Sequence, residues 1–247
     1  MHGMTSISIL TGAGISTGAG IPDFRGRNGL WTQHPEMRDI FDYYQYMSKP
    51  KVRMRAWSWM RDDASMSARA ITPAHSSITA LQGTGRLMTL ATQNIDGLHE
   101  LAGSVDVRHL HGMTGTSHCQ RCHAVYDTKS IMDNLDDDPD PHCHVFNGKK
   151  GRECGGVIKM DVVYFGESLD KRLFHDVELG FAQSDEVWAI GTSLTVYPVA
   201  GLIDRALSYG RHVIIINDGE TPFDDRADDV IHGDIQSVLP DLVSTYL

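Results

Sequence analysis

Residues 7–16, ISILTGAGIS, decide the fold class, because a short apolar run of β-prone residues leads directly into a glycine-rich turn. The first five residues predict a buried parallel strand. Gly12 and Gly14 would let the backbone after this strand approach a pyrophosphate closely. The dehydrogenase fingerprint G-x-G-x-x-G is incomplete, since Thr17 holds its sixth position and Gly18 comes one residue late. On its own, the turn indicates either nucleotide binding or a purely structural connection.

Three further runs share the character of the first: they are short, apolar and β-prone, and each is closed by a polar residue or a glycine. They lie at 87–92, 186–191 and 212–217. Any one of them alone is compatible with a piece of buried helix. Four such runs with helical patterns between them favour the α/β class, with a Rossmann-like doubly wound parallel sheet.

Two helices between these strands have recognisable ends. Thr72 followed by Pro73 is typical of a helix start, with threonine as the N-cap and proline at the first helical position. A second helix is predicted over 196–209, opening near Pro198 and closing at Gly210.

Two insertions interrupt the predicted sheet. Residues 28–70 are rich in Trp, Tyr, Met and Arg, and we interpret them as helices that flank a cleft. Residues 114–159 hold all four cysteines and an acidic tract at 136–140, which we interpret as a solvated loop without a function. The remaining segments are expected to form the Rossmann-like domain: 1–27, 71–113 and 160–247.

The composition of the 247-residue chain excludes several classes of protein. With 41% hydrophobic and 22% charged residues, it is neither collagen-like nor disordered nor fibrous. Lysine and arginine total 22 against 32 aspartates and glutamates, which gives a net charge of −10. Direct binding of nucleic acid is not expected, because it needs a basic footprint. Lysine-rich protein segments are compatible partners.

The first residues and the hydropathy predict a cytoplasmic protein. Neither a secretory signal nor an apolar run of the roughly 18 residues that a membrane span needs is visible, so no membrane partner is expected. In a reducing compartment, clustered cysteines are more often metal ligands or catalytic groups than disulfides.

Residues 20–26, GIPDFRG, place a turn, an acid, an aromatic ring and a guanidinium within seven positions. Arg25 is suited to bidentate contact with a phosphate, and Phe24 is suited to cover a nicotinamide or ribose face. The alternative is a loop with a surface arginine and a packed phenylalanine.

Taken in chain order, these motifs and those that follow resemble the sirtuin family, in its bacterial form. The matching stretches are GAGIS at 12–16, GIPDFRG at 20–26, GLW at 29–31, TQNIDGLH at 92–99, HG at 111–112, the CxxC at 119–122, CGG at 154–156, DVVYFGE at 161–167, GTSL at 191–194, and Asn217. The resemblance therefore spans most of the chain.

The resemblance implies that NAD⁺ is bound and is consumed as a co-substrate. The glycine turn and the segment after it would contact NAD⁺ through Gly12, Ala13, Gly14, Ser16, Asp23, Phe24, Arg25 and Trp31. The ribose and adenine would lie against residues that follow later strands, at the carboxyl edge where open α/β sheets bind ligands. These residues are Gly191, Thr192, Ser193, Asn217, Asp218, Gly219 and Ile235.

A polar cluster follows the second predicted strand at the same edge, and taken alone it is typical of a turn. The resemblance implies that Asn94 and Asp96 hold the carboxamide of nicotinamide, with Gln93 beside them. Ile95 and Ile21 would form the apolar walls of that pocket.

Thirteen histidines make any single one a weak candidate for catalysis. His111 stands out because it lies between Leu110 and Gly112, shortly before the cysteines. The resemblance implies that it is the catalytic base, and an imidazole that titrates near neutrality suits removal of a proton from a ribose hydroxyl. His109 is not expected to replace it, because the two side chains would lie at different depths.

The cysteine spacing predicts a closed tetrahedral Zn²⁺ site with a structural role, whose ligands are Cys119, Cys122, Cys143 and Cys154. Free buried thiols and a redox pair in the CxxC are the alternatives. Cys143 is the least regular ligand, because the family pattern would place a cysteine where Gly151 stands. His142 and His144 stay open as alternative fourth ligands.

The β-prone run at 161–167 implies, by resemblance, a loop that pairs with an extended peptide. Phe165 would wall the tunnel for the acylated lysine, Val163 would hydrogen-bond the peptide backbone, and Gly166 would adjoin both. Without the resemblance, the same residues are typical of an ordinary edge strand.

The resemblance implies removal of an acyl group from protein lysine, with nicotinamide, O-acyl-ADP-ribose and free lysine as products. Relatives that prefer succinyl or malonyl groups carry a Tyr and an Arg three residues apart, shortly after the Gly-Leu-Trp motif. Here the residues three positions after Tyr43, Tyr44 and Tyr46 are Tyr46, Met47 and Lys49. We therefore expect acetyl or longer apolar acyl groups.

Other functions are weighed against this one. A nicotinamide dehydrogenase would need the intact glycine fingerprint and a ribose-binding acid, and both are missing. A non-enzymatic zinc- or nucleotide-binding module would not need residues 93–96 or His111. Mono-ADP-ribosyl transfer and long-chain deacylation suit the same fold and stay open as alternatives.

Overall fold

The computed structural model describes residues 4–24, 26, 29–62, 70–147 and 151–247. Its strands are β1 (Ile7–Thr11), β2 (Leu87–Thr92), β3 (Val107–His109), β4 (Gly112–Cys119), β5 (Val125–Asp127), β6 (Phe146–Asn147), β7 (Arg152–Glu153), β8 (Ile158–Val162), β9 (Glu186–Ile190), β10 (His212–Ile216) and β11 (Asp229–Ile231). Its helices are α1 (Leu30–Gln33), α2 (Tyr43–Ser48), α3 (Pro50–Asp62), α4 (Pro73–Gly83), α5 (Leu98–Leu101), α6 (Thr128–Met132), α7 (Lys171–Gln183), α8 (Gly201–Ser208) and α9 (Ile235–Ser244). Short 3₁₀ turns lie at Ala13–Ile15, Thr17–Ala19, Pro35–Phe41 and Asp224–Arg226.

The main sheet is parallel and has the strand order β11-β10-β9-β1-β2-β3. All residues of β1 are buried, as expected for a strand covered by helices on both faces. The four predicted strands are confirmed, and they form the centre of this sheet. Since β2 and β9 flank β1 on opposite sides, the chain reverses its winding direction at β1. Open α/β sheets bind ligands beside such a reversal, at the carboxyl ends of the strands.

The helix predictions are confirmed at one site and corrected at the other. The Thr72 hydroxyl accepts a hydrogen bond from the His75 amide, and Pro73 begins α4. The second helix, α8, begins at Gly201 rather than near Pro198, because residues 197–200 form turns instead of a helix. It still ends before Gly210, whose φ of +66° closes the helix in the left-handed region.

The first insertion is helical over its described part, as predicted. Helices α1, α2 and α3 pack with β8 and with two of the cysteines in one apolar cluster. Tyr46, fully buried in that cluster, donates its hydroxyl to the Ile158 carbonyl at 2.8 Å. The insertion is therefore fixed to the second, smaller sheet.

One member of the acidic tract is not a solvated residue, which corrects the prediction for 136–140. Asp140 accepts two hydrogen bonds from the buried Arg53 guanidinium, at 2.6 and 2.8 Å. Arg53 also donates to the carbonyls of Tyr46 and Met47. A guanidinium without carboxylate and carbonyl partners would be costly to bury, so this pair ties α3 to the cysteine-bearing segment. Asp136 does remain exposed.

The smaller sheet is antiparallel, with the order β5-β4-β8, and β6 pairs with β7 beside it. β4 begins directly after His111, and β8 ends directly before Val163. The two long strands of the cysteine-bearing segment thus adjoin two candidate site residues. No helix within the described ranges is both long and apolar enough to cross a membrane.

Candidate active site and metal centre

A cavity of about 800 Å³ lies between the carboxyl edge of the main sheet and the first insertion. Every described residue that the sequence assigned to NAD⁺, to the base or to the peptide lines this cavity. Arg25, the remaining candidate, lies outside the described residues. Further lining residues were not assigned from the sequence, among them Phe41, Trp59, Glu167, Tyr197, Pro198, Glu220 and Asp234.

The glycine turn is packed against the turn after β9, backbone to backbone. The Gly14 amide donates to the Gly191 carbonyl at 2.8 Å, and the Gly12 amide donates to the Ile190 carbonyl at 2.9 Å. A Cβ on Gly12 would lie 2.7 Å from the Gly191 oxygen, and a Cβ on Gly14 would lie 2.8 Å from the Gly191 Cα. These glycines are therefore required for the contact between two turns, before any ligand is considered.

Ser16 connects the glycine turn to the polar loop after β2. Its hydroxyl donates to Asp96 Oδ2 at 2.7 Å and accepts from Asn94 Nδ2 at 3.1 Å. Asn94 Nδ2 also donates to the Gly12 carbonyl at 3.1 Å, while its Oδ1 has no partner among the described residues. Gln93 extends the network by donating to the Thr192 hydroxyl at 2.9 Å. The loop thus presents an amide oxygen to the cavity from a fixed side chain.

His111 is half-buried in the cavity wall, and its protonation is set by its surroundings. The Nδ1 atom lies 3.0 Å from the Gln93 carbonyl, which can only accept, so Nδ1 carries the proton and Nε2 is left with a lone pair. Burial lowers the pKa of His111 below its ordinary value, although the hydrogen bond to Gln93 acts in the opposite direction. The ring is therefore neutral at neutral pH, the state that a general base requires.

The far end of the cavity is formed by residues that follow β9 and β10. Thr192 and Ser193 come after the Gly191 turn, and Asn217 donates from its side-chain amide to the Gly219 carbonyl at 2.7 Å. Ile235 is the first residue of α9 and is buried. Hydroxyl and amide groups therefore line this end of the cavity together with the apolar side chain of Ile235, an arrangement that suits a ribose and a purine.

Aromatic rings form the wall on the insertion side. Trp31 lies 5.2 Å from Phe24 and 5.1 Å from Phe165, measured between ring centroids. Phe41 continues the wall to Trp59 at 5.3 Å. Such a surface is suited to apolar acyl chains and to lysine methylenes.

The loop after β8 is partly committed to contacts within the chain. The amide of Phe165 donates to the Phe41 carbonyl at 2.8 Å, and its carbonyl accepts from the Tyr43 amide at 3.0 Å. The Val163 amide donates to the His111 carbonyl at 2.8 Å. Within the described residues, the Val163 carbonyl has no partner, and so it is the group available for an added peptide strand.

A buried lysine, not anticipated from the sequence, supports this loop from behind. The Lys159 side chain is 2% exposed, and Nζ lies 3.0 Å from Glu167 Oε2. Nζ also donates to the Val162 carbonyl at 2.6 Å, while Glu167 Oε2 accepts from the Tyr164 amide at 3.0 Å. Burial lowers the pKa of Lys159, and the charge of Glu167 opposes that change. The ion pair therefore fixes both ends of the loop at 163–167.

The four cysteine sulfurs fit a single Zn²⁺ ion. All four lie within 4.8 Å of one another, with Sγ–Sγ distances of 3.7 Å between Cys119 and Cys154 and 3.5 Å between Cys122 and Cys143. A tetrahedron with Zn–S bonds of about 2.3 Å has edges of about 3.8 Å, whereas a disulfide would need about 2.05 Å. Burial alone would raise the pKa of Cys119, but hydrogen bonds from backbone amides and neighbouring thiols lower it to about 7.

The geometry favours Cys143 over the neighbouring histidines as the fourth ligand, because only the cysteine belongs to the group of four sulfurs, whereas His142 Nδ1 lies 2.6 Å from the Asp140 carbonyl. Cys143 is held by backbone hydrogen bonds to Gly156 and Gly155, and its Sγ accepts from the Tyr126 hydroxyl at 2.9 Å. The His144 side chain is 71% exposed and pairs with Glu153. The longer loop before Cys154 therefore does not remove Cys143 from the site, and the four thiolates form a closed structural centre.

These features define a class of protein: an α/β fold with a cavity at its sheet edge that can accommodate a dinucleotide, a histidine in the same cavity, and beside it a group of four cysteines that fits a structural zinc ion. The chain belongs to the Sir2 family, whose family model matches residues 12–198.

Similar proteins cover nearly the whole chain. It is 37% identical over 246 residues to NAD-dependent protein deacetylase 2 of Streptomyces coelicolor, covering 98% of both chains. It is 39% identical over 235 residues to an NAD-dependent protein deacetylase of Sulfurisphaera tokodaii, covering 94% of this chain and 88% of that one. A solved Sir2 structure with a p53 peptide and NAD⁺ superposes with a TM-score of 0.84 at 30% identity, covering 97% and 92% of the two chains.

Proposed function

We propose that this chain is an NAD-dependent protein-lysine deacetylase. The observation that carries the proposal is the placement of the His111 base in one cavity with both the Ser16–Asn94–Asp96 network and the loop at 163–167. The activity named for the similar proteins and the peptide and NAD⁺ in a similar structure support it.

In this proposal, different parts of the cavity bind different parts of NAD⁺. We assign the glycine turn to the phosphates, and residues 191–193 and 217–219 to the ribose and adenine. Asn94 Oδ1 would accept from the amide group of nicotinamide, with Asp96 holding Ser16 in place. Bound NAD⁺ supplies the ribose that takes the acyl group, so nicotinamide and O-acyl-ADP-ribose leave as products.

His111 performs the proton transfer in this proposal. Its Nε2 accepts the proton of a ribose hydroxyl, while Nδ1–H keeps its hydrogen bond to Gln93. The charge that the ring gains is stabilised by that carbonyl. A general base of this kind typically contributes a factor of about 10²–10⁴ to the rate.

The lining of the cavity favours acetyl and apolar acyl groups. Phe24, Trp31, Phe41 and Phe165 face the position of the acylated lysine, and no described residue of the lining is a lysine or an arginine. A succinyl or malonyl carboxylate would therefore lack a cationic partner among these residues. This agrees with the missing Tyr and Arg pair after the Gly-Leu-Trp motif.

The proposal extends to the peptide partner, the domain organisation and the location of the protein. The peptide partner would be an acylated, lysine-containing protein segment that pairs with the Val163 carbonyl and adjoins Gly166. We keep the division into a Rossmann-like domain (1–27, 71–113 and 160–247), a helical insertion (28–70) and a zinc module (114–159). The cytoplasmic location rests on the reduced cysteine cluster.

The test is an incubation of the zinc-loaded protein with NAD⁺ and acetyl-, succinyl- and long-acyl-lysine peptides, followed by mass spectrometry. We expect O-acetyl-ADP-ribose and deacetylated peptide, with the succinyl peptide unchanged. ADP-ribose on the protein or peptide would instead indicate mono-ADP-ribosyl transfer. Failure to form any O-acyl-ADP-ribose would refute the deacetylase assignment.

A further inference from the structure

Three consecutive carbonyls of the polar loop after β2 are held by side chains rather than by a strand. The β2–β3 ladder ends where Thr92 pairs with His109. Beyond it, the Gln93 carbonyl accepts from His111 Nδ1 at 3.0 Å and the Asn94 carbonyl from His109 Nδ1 at 3.1 Å. The Thr114 hydroxyl lies 3.4 Å from the Ile95 carbonyl. Side chains of residues 109–114 thus supply the donors that a neighbouring strand would otherwise provide to the loop.

His109 and His111 make the same bond with Nδ1 but differ at Nε2. His111 belongs to the cavity lining, and no described residue accepts or donates at its Nε2. His109 Nε2 instead lies 2.6 Å from Glu100 Oε1, and its side chain is only 10% exposed. A carbonyl can only accept, so Nδ1 of each histidine carries the proton in its bond to the loop.

Glu100, on α5, holds the far side of the His109 ring, because its carboxylate lies at hydrogen-bond distance from Nε2. The ring is thus fixed at both nitrogens, by a backbone carbonyl on one side and by a side chain on the other.

We propose that His109, held by Glu100, is a positioning residue that fixes the Asn94 carbonyl and so aims the Asn94 side chain at the nicotinamide end of the cavity. The inference rests on the proposed function for the identity of the ligand. His109 itself does not line the cavity and does not touch the reacting atoms.

Two variants separate the hydrogen bond from mere packing. His109→Asn keeps a side-chain N–H donor near the position of Nδ1, whereas His109→Leu removes it with similar bulk. In steady-state kinetics we expect His109→Leu to lower kcat/KM for NAD⁺ about tenfold, the effect of losing one buried hydrogen bond. The KM for the acetyl peptide should stay unchanged, and His109→Asn should recover most of the loss. Equal behaviour of the two variants, or an unchanged kcat/KM for NAD⁺ in His109→Leu, would overturn the proposal.

A second measurement needs neither turnover nor a stable leucine variant. ¹⁵N NMR of histidine-labelled, zinc-loaded protein reports the protons on each ring nitrogen, with the His109→Asn variant supplying the assignment. We expect His109 and His111 each to carry a proton on Nδ1, bonded to the Asn94 and Gln93 carbonyls. A His109 without a proton on Nδ1 would overturn the proposal, even if the deacetylase assignment stands. Absence of deacetylation with that proton in place would instead count against the proposed function alone.

Discussion

The two halves of the cavity wall are held together by different kinds of contact. The sheet-edge half consists of the turns at 12–16, 93–96 and 191–193, and it is closed by backbone packing and short hydrogen bonds between neighbouring turns. The insertion half consists of α1–α3, the loop at 163–167 and the cysteine module. Its anchors are the Arg53–Asp140 and Lys159–Glu167 ion pairs and four thiolates.

This difference assigns a separate task to each half. Removing a close contact between turns should damage NAD⁺ binding, because the turns themselves form the dinucleotide surface. Removing a side-chain anchor should damage the peptide site while the sheet edge persists. His111 lies at the boundary between the two halves. Its side chain forms a hydrogen bond with the Gln93 carbonyl of one half, and its carbonyl accepts one from the Val163 amide of the other.

Loss of the metal centre is expected to have the largest effect. A structural Zn²⁺ contributes on the order of 10 kcal/mol of binding free energy in small zinc modules. We expect Cys143→Ser to lose stoichiometric zinc and peptide binding while NAD⁺ binding persists. Metal analysis and isothermal titration with each ligand measure this. His144→Ala is the matched control and should keep zinc; the reverse pattern would show that the histidine is the ligand.

His111→Ala should lower turnover by about 10³-fold, the range of a lost general base, with NAD⁺ affinity nearly unchanged. The loss arises because no other described side chain offers an unprotonated nitrogen to the cavity. Stopped assays of O-acetyl-ADP-ribose formation measure the rate. His175→Ala, at an exposed position on α7, is the control. A variant that retains near-normal turnover would remove His111 from the mechanism.

The turn-to-turn packing is tested by two glycines with similar backbone angles. Gly191 has φ +61° and Gly210 has φ +66°. A Cβ at Gly191 would lie 2.5 Å from the Ile15 amide nitrogen, whereas one at Gly210 has no described atom within 4 Å. We expect Gly210→Ala to cost about 1 kcal/mol through its φ alone. Gly191→Ala should cost roughly 3 kcal/mol or more, since the clash is added, and should weaken NAD⁺ binding. Urea unfolding measures both, and equal costs would contradict the packing argument.

Acid should weaken the sheet-edge half through a buried histidine pair. His75 and His99 pack at the ends of α4 and α5, and burial, then the charges of His75 and His109, lower the pKa of His99 to about 3. The unfolded value is about 6.5, so the folded state binds the proton less well than the unfolded chain. This stability contribution is complete above about pH 6.5 and is lost as the pH falls toward 3.

The variant His99→Gln tests this pH dependence, because it removes the titrating imidazole but keeps a polar group that can bond to the Thr11 hydroxyl. From pH 7 to pH 5, the unchanged protein should lose roughly 2 kcal/mol more of its unfolding free energy than this variant does. Urea unfolding at the two pH values measures the difference. His175→Gln should behave like the unchanged protein, and identical pH slopes for all three would contradict the assignment.

The sheet-edge half was largely predictable from sequence, and the insertion half was not. Each of the four central strands is followed directly in the chain by its polar loop. The local composition therefore indicates both the strand and the loop. The edge strands β3 and β11 were missed, because each has only three residues and carries a charged or polar side chain among them. Such short strands are defined by their neighbours rather than by their own sequence.

In the insertion half, the decisive contacts join distant positions. Arg53 and Asp140 are 87 residues apart, and no local pattern connects them. Lys159 lies two residues before the matched DVVYFGE motif. A lysine in a strand is typically exposed to solvent, so its burial is known only from the fold. The sequence named Cys143 as the least regular of the four candidate ligands, and the β-bridge between His142 and Val157 and the hydrogen bond to Gly156 bring its sulfur close to the other three.

In the proposed reaction, one cavity couples deacetylation to the consumption of NAD⁺, and this coupling fixes the stoichiometry of the products. Zinc-loaded protein is incubated with an acetyl-lysine peptide and limiting NAD⁺, and nicotinamide, O-acetyl-ADP-ribose and free-lysine peptide are quantified by mass spectrometry. Equal amounts of the three products are predicted, with none formed without NAD⁺. Deacetylation without NAD⁺, or with free acetate as the direct product, would contradict the account.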